Sequence, residues 1–180
     1  FFTVNPLPVA NAGVDFSNCV SDPAFNLSGT PAGGTWSGTG ITNAVLGTFN
    51  PNTAGAGAHT LTYSYTDPVT GCVGTDQVLA TVFTLPIVNA GIDTTVCNQP
   101  FPIQLNGSPA GGTWSGANIT AGGIFTPSGI GSTVVTYTFT NANGCTNSDT
   151  RTVNVIAPTP SNAVPDLNAC IEAAHVVFNG

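Results

Sequence analysis

The chain has 180 residues, of which 41% are hydrophobic and only 5% are charged, far below the roughly 25% charged residues of a typical soluble domain. Arg151 is the only lysine or arginine and stands against eight acidic residues, which gives a formal net charge of −7. Such a surface repels phosphate groups, so nucleic-acid binding is excluded, and it offers no basic patch for anionic lipid. No apolar run approaches the roughly 18 residues that a membrane-spanning helix needs, so we expect no membrane insertion in this segment.

An internal repeat is the most informative feature of the sequence. Residues 8–15 (PVANAGVD) match residues 86–93 (PIVNAGID), and residues 31–38 (PAGGTWSG) recur unchanged as residues 109–116. Further along, a Gly-Cys pair at 71–72 matches another at 144–145. We therefore predict two complete repeats, 8–85 and 86–157, with the end of a preceding repeat at 1–7 and the start of a following repeat at 158–180.

Each repeat has the pattern of short antiparallel strands separated by turn residues. In chain order, the first repeat predicts strands near 7–11, 25–28, 34–37, 46–50, 59–66 and 77–84. The alternation of β-branched and aromatic residues is clearest in residues 60–65 (TLTYSY) and 134–139 (VVTYTF). The fold class predicted is all-β, with tandem β-sandwich repeats of immunoglobulin-like type. A weak helix signal at 169–174 aligns with a loop and is discounted.

The five cysteines provide a staple for such small units. If the strands alternate in direction, the two cysteine-bearing loops of a repeat fall at the same end of the sandwich. This predicts the disulfides Cys19–Cys72 and Cys97–Cys145, and leaves Cys170 with a partner beyond residue 180. Closing a loop of about 53 residues would stabilise a repeat by roughly 4 kcal/mol. Reduced thiols or metal ligands are the alternatives, but no CxxC or HxxxH spacing supports a metal.

The aromatic residues of the repeat admit two interpretations. Trp36 and Trp114 recur in identical sequence and could stack on sugar rings, but a tryptophan on a sandwich strand is more often part of the core. We assign both to the core, together with Tyr63 and Tyr137 on the alternating strands.

The carboxylates are weighed in the same way. Asp15, Asp93 and Asp166 recur at one position, and Asp76 and Asp149 at another. Calcium at Asp15 and Asp93 is one interpretation, but no dense acidic cluster is present and aspartate is a common turn residue. The prediction is no metal and no cofactor.

Catalysis finds little support in the sequence. His59 and His175 do not recur, and neither belongs to a pattern that suggests a triad with a nucleophile and a carboxylate. Asp15 and Asp67 form no convincing glycosidase pair. We therefore predict that the chain is not an enzyme.

The combination of NAGVD or NAGIDTTVC, the GGTWSG strand, and a Thr-x-Tyr-x-aromatic strand before Gly-Cys resembles PKD-like and Ig-like repeats. These repeats occur in giant cell-surface adhesins of the Bacteroidota, of the gliding-motility type, many of them type IX secretion substrates. The resemblance implies an extracellular, cell-surface stalk or filament segment. It also implies that Thr94, in the sequence Asp-Thr-Thr, is a candidate O-glycan site.

The partners expected on this basis are neighbouring repeats of the same chain, with surface glycans or other filament chains as further possibilities. The alternative functions are a carbohydrate-binding or spacer module of a secreted polysaccharide-degrading enzyme, and a subunit of a self-assembling extracellular sheath.

Overall fold

The computed structural model describes residues 4–99 and 101–158. The chain divides into two compact units, with a boundary between Leu85 and Pro86. The first unit consists of Phe1–Leu85 together with Asn141–Cys145, and the second of Pro86–Thr140 and the chain from Thr146. A five-residue turn of the second sequence repeat therefore belongs to the first unit.

The elements of the first repeat are β1 (Phe16–Cys19), β2 (Phe25–Asn26), β3 (Thr35–Ser37), β4 (Ile41–Asn43), β5 (Thr48–Phe49), α1 (Pro51–Ala54), β6 (Gly57–Thr66) and β7 (Val73–Phe83). Those of the second are β8 (Thr94–Cys97), β9 (Ile103–Gln104), β10 (Thr113–Gly116), β11 (Ile124–Phe125), β12 (Gly131–Thr140) and β13 (Thr146–Ile156). The predicted all-β class is confirmed. The one helical turn among the described residues, α1, begins after Asn50, whose side chain accepts the N–H groups of Asn52 and Thr53.

Each unit is built from two sheets. In the first unit, a sheet in the order β1-β7-β6-β3 packs against a sheet in the order β2-β5-β4. In the second unit, β8-β13-β12-β10 packs against β9-β11. In chain order, the first strand of each repeat pairs in parallel with the last strand of the same repeat. Cys19 on β1 therefore lies opposite Phe83 on β7, and Cys97 on β8 lies opposite Ile156 on β13. The other pairings are antiparallel.

The start of the repeat differs from the sequence-based expectation. Residues 7–11 form no strand, and Asn11 makes only an isolated bridge with Thr30. The chain turns here because the Asn11 side chain accepts the N–H of Gly13 at 2.7 Å and Gly13 has a φ of 91°. The first strand is β1 instead, which lies where the sequence predicted a loop.

The aromatic pairs that recur in the two repeats belong to the buried core of each unit. Trp36 and Tyr63 are 3% and 2% exposed, and their ring centroids lie 5.0 Å apart at an interplanar angle of 46°. Trp114 and Tyr137 are 5% and 3% exposed with the same ring geometry. All four assigned core residues are therefore buried, and neither indole presents a face on which a sugar ring could stack.

Each buried tyrosine also organises the loop before the GGTWSG strand. The Tyr63 hydroxyl donates to the Pro31 carbonyl and accepts the N–H of Gly34 at 2.9 Å. A Cβ at either Gly29 or Gly34 would lie 2.5 Å from the Tyr63 ring, so glycine is required on both sides of it. Tyr137 makes the equivalent bonds, to the Pro109 carbonyl at 2.5 Å and from Gly112 at 2.8 Å.

We predict that Tyr63→Phe lowers the free energy of unfolding by about 1–3 kcal/mol, because it leaves the buried Gly34 N–H without its acceptor. Urea denaturation followed by tryptophan fluorescence measures this. Tyr65→Phe is the matched control, because Tyr65 is a half-buried residue of the same strand that has no hydroxyl hydrogen bond within the described residues. Equal losses in both variants would contradict a specific role for the Tyr63 hydroxyl.

Candidate functional site

A disulfide between Cys19 and Cys145 is the most distinctive chemical feature of the chain. Its Cα atoms lie 5.5 Å apart, although 126 residues separate the two cysteines in sequence. Both belong to the first compact unit, where Cys145 is fully buried and Cys19 is 9% exposed. The bridge joins a strand of the first sequence repeat to a turn of the second.

The last residues of β1 hold Cys19 in place. The backbone N–H of Cys19 donates to Asp22 Oδ2 at 2.8 Å, and its carbonyl accepts the N–H of Asp22 at 2.9 Å. Asn18 donates to the same carboxylate oxygen at 3.1 Å. Beyond the strand, Val20 N–H donates to the carbonyl of Phe83 at 2.9 Å, which extends the parallel pairing with β7 by one residue. Cys19 is thus fixed beside the end of β7.

The turn Asn141–Cys145 is organised by its first residue. Asn141 Oδ1 accepts the N–H groups of Asn143 and Cys145, both at 3.0 Å, and Asn141 N–H donates to the Cys145 carbonyl at 2.9 Å. Its side-chain amide donates to the Thr84 carbonyl at 3.5 Å. An asparagine that bonds its own turn in this way is a recognised loop signal, and sequence reasoning had not assigned this one a role.

The observed pairing shows that the predicted disulfides Cys19–Cys72 and Cys97–Cys145 are wrong. The reason is the parallel pairing of β1 with β7. It places Cys19 beside Phe83, whereas Cys72 immediately precedes Val73 at the opposite end of the same strand. At a rise of about 3.3 Å per residue, the two positions are separated by roughly 36 Å, whereas a disulfide requires Cα atoms within about 7 Å.

The remaining cysteines differ in state. Cys72 is a free, partly buried thiol. Cys97 is disulfide-bonded, and its partner is not Cys145, which is joined to Cys19. Cys170 lies outside the described residues.

The recurring carboxylates hold the leading segment of each repeat against its last strand. Asp76 Oδ2 accepts the N–H of Ala12 at 2.7 Å, and Asp15 Oδ1 accepts the N–H of Leu79 at 2.9 Å. In the second repeat, Asp149 accepts from Ala90 and Asp93 accepts from Thr152, each at 2.8 Å. Asp15 and Asp93, the calcium candidates, therefore already serve as backbone acceptors. Asp166 lies outside the described residues.

The candidate glycan site Thr94 is a half-buried residue at the start of β8. Its hydroxyl accepts a hydrogen bond from the Arg151 guanidinium and donates to the Ile92 carbonyl at 3.3 Å. Attachment of a glycan would have to disrupt this arrangement.

The structure brings together few groups capable of acid–base or metal chemistry. Among residues 4–99 and 101–158, no three histidine, cysteine or acidic side chains cluster in a way that could hold a metal ion. His59 Nε2 lies 2.9 Å from the Gly55 carbonyl, while His175 lies outside the described ranges. Within the same part of the chain, no helix has the length and apolar character that crossing a bilayer requires.

Comparison with known proteins finds no matching family model and no matching curated protein. Among solved structures, the chain is similar to Sidekick-1 immunoglobulin domains 1–5, with 12% identity, 81% of this chain and 38% of that chain covered, and a TM-score of 0.31. It is also similar to the insect immune protein hemolin, with 14% identity, coverages of 81% and 46%, and a TM-score of 0.34.

A third similarity is to the Bacteroides ovatus mixed-linkage glucan utilization locus protein SGBP-B in complex with a mixed-linkage heptasaccharide, with 17% identity, coverages of 85% and 46%, and a TM-score of 0.29. The chain spans less than half the length of each of these three structures. At TM-scores this low, the similarities carry no argument about function.

The carboxylate contacts generate a prediction. Asp76→Ala should lower the free energy of unfolding by about 1.5–3 kcal/mol, because the Ala12 N–H loses a charged acceptor. Asp76→Asn should recover part of the loss, because an amide oxygen accepts the same N–H. Urea denaturation of both variants, with and without millimolar Ca²⁺, measures this. If Ca²⁺ stabilised the unmodified chain and either substitution abolished that stabilisation, Asp76 would instead belong to a metal site.

Proposed function

We propose that the chain is a tension-bearing stalk or filament segment of a large secreted cell-surface adhesin. The observation that carries the proposal is the Cys19–Cys145 bridge, which joins one sequence repeat to a turn of the next. A protein that works by catalysis or by ligand binding has no evident need for such a connection, whereas a chain loaded along its length benefits from it directly.

The mechanical consequence follows from covalent connectivity. When the chain is pulled from its ends, force enters the bridge at Cys19 and leaves it at Cys145, so the residues between the two cysteines carry no sustained tension. These residues include the whole of β6, β7 and β12 and therefore most of both cores. Mechanical unfolding of either core cannot lengthen the connection between the two cysteines while the bridge is intact.

The chemistry of the bridge also supports the proposed location. Structural disulfides persist in oxidising compartments and are rare in the cytosol. A secreted protein at the cell surface meets this condition. In this proposal the neighbouring repeats of the same chain are the direct partners, while attachment or gliding would depend on contacts made with surface glycans or other filament chains. Export by the type IX route is part of the same proposal and rests on the sequence resemblance alone.

Single-molecule force extension of the 180-residue chain, held at its two ends, tests the proposal. Reduction should increase the fully extended length by roughly 420–450 Å, because it releases 126 residues of about 3.3–3.6 Å each. Cys72→Ser is the matched control and should show the same increase, because the Cys72 thiol is free.

Two results would contradict the proposal. An extended length that does not change on reduction would show that the bridge carries no load. An increase matching the sum of two shorter loops, 19–72 and 97–145, would show that each repeat is stapled separately and that no bridge connects one repeat to the next.

A further inference from the structure

Cys72 occupies the same structural position as the bridged Cys145. Each is the last residue of the turn that joins the two longest strands of its repeat, and the next residue begins the final strand. In the first repeat, Asp67 plays the part of Asn141: its Oδ1 accepts the N–H of Val69 at 2.8 Å, and its N–H donates to the Cys72 carbonyl at 2.9 Å. The two turns thus place a cysteine at the same position before the last strand, although the Cys72 N–H donates to Thr70 Oγ1 at 3.3 Å and the Cys145 N–H donates to Asn141 Oδ1 at 3.0 Å.

The second repeat shows what such a cysteine binds. Cys145 is joined to Cys19, a cysteine located at the end of the first strand of the repeat before it. By the same rule, the partner of Cys72 would be the counterpart of Cys19 in a repeat preceding residue 8. Cys19 itself is unavailable, because it is bridged and lies at the far end of β7 from Cys72.

The two turn cysteines differ in burial, as expected if only Cys145 is bridged to a preceding repeat within this chain. Cys145 is fully buried within the first compact unit, whereas Cys72 is partly exposed. Beside Cys72, the apolar side chains of Val69 and Val73 are 90% and 46% exposed. The free Cys72 thiol therefore lies beside an exposed apolar surface.

The segment before residue 8 provides an independent sign of that repeat. Thr3-Val4 precede Leu7-Pro8 at the same spacing at which Thr81-Val82 precede Leu85-Pro86. Val82 is a core residue of β7, 3% exposed, but Val4 is 91% exposed. Val4 therefore has the sequence position of a core residue of a final strand.

We propose that Cys72 is a covalent coupling site that forms a disulfide with the first-strand cysteine of a preceding repeat. The proposal rests on the proposed function in one respect, namely that repeats follow one another in series. The bridge at Cys72 would overlap the Cys19–Cys145 bridge along the chain, each joining a repeat to the turn of the next, so that load would pass from one disulfide to the other.

The reaction requires an electron acceptor, which is a small disulfide such as oxidised glutathione or the disulfide of a thiol oxidoreductase. The thiolate of one cysteine attacks the acceptor disulfide, forms a mixed disulfide and releases one thiolate of the acceptor. The thiolate of the second cysteine then attacks the sulfur of the first protein cysteine in the mixed disulfide. This step forms the protein disulfide and releases the second thiolate of the acceptor. Two protein thiols are oxidised, and one acceptor disulfide is reduced to two thiols.

The test is an extended chain in which residues 1–85 are followed directly by residues 8–180, which reproduces the natural Leu-Pro junction. The exposed substitutions Ser17→Thr and Val69→Ile in the added copy give its cysteine peptides distinguishable masses. The chain is refolded with reduced and oxidised glutathione, free thiols are alkylated, and the disulfides are mapped by mass spectrometry. The 180-residue chain treated identically is the reference.

We expect Cys72 of the original repeat to change from fully alkylated in the reference to unalkylated in the extended chain, with its peptide joined to the Cys19 peptide of the added copy. The Cys19–Cys145 bridge should persist in both chains. Cys19→Ser in the added copy alone is the matched control and should restore full alkylation of Cys72.

Three outcomes would overturn the proposal: Cys72 alkylated in the extended chain, Cys72 joined to the cysteine of its own repeat, or Cys72 joined to a second molecule. These results are distinguishable from failure of the proposed function, because the force measurement depends on the Cys19–Cys145 bridge and not on Cys72.

Discussion

The parallel pairing of the first strand of a repeat with its last strand is the constraint on which the rest of the structure depends. It places the cysteine of β1 beside the end of β7, while the second cysteine of the repeat lies immediately before the start of β7. An 11-residue strand therefore separates two cysteines that share one sequence repeat. A disulfide between the two cysteines of this repeat is therefore impossible, and the partner of Cys19 has to come from outside its own repeat.

Several smaller interactions maintain that pairing. Asp76 and Asp15 fasten the segment before β1 to β7 through backbone N–H groups, and Asp22 fixes the residue that carries the thiol. The buried pair Trp36 and Tyr63 holds the opposite side of the same sheet. The carboxylate contacts thus hold the segment around β1 against β7, and the aromatic pair contributes to the core beneath the same sheet. This arrangement gives the bridge a rigid anchor, as a mechanical role requires.

The sequence predicted the all-β class and the buried aromatic positions, because strand alternation and an exact internal repeat are local signals. It did not predict β1, since residues 16–19 contain only one large apolar side chain, Phe16, and follow a glycine-containing turn. Without β1, the sequence lacks the information that decides the disulfide pairing. If the strands simply alternated in direction, Cys19 and Cys72 would lie at the same end of the sandwich. Strand direction within a sheet depends on distant pairing partners, and no local pattern in a single sequence reports it.

The repeat also explains why the sequence favours a bridge within a repeat over one between repeats. Two cysteines in each sequence repeat make a pair within the repeat the simplest prediction. The sequence pattern is identical, however, for bridges that join each repeat to the next. Only the position of Cys145 in the first compact unit separates the two possibilities.

Disulfide mapping of the unreduced 180-residue chain tests the central claim most directly. Free thiols are alkylated first, and the chain is cleaved before each aspartate, because trypsin would cut only after Arg151. Peptide 15–21 carries Cys19, peptide 67–75 carries Cys72, and peptide 93–148 carries Cys97 and Cys145. The account predicts 15–21 joined to 93–148 through Cys145, and 67–75 recovered as a linear peptide alkylated at Cys72. Recovery of 15–21 joined to 67–75 would contradict it.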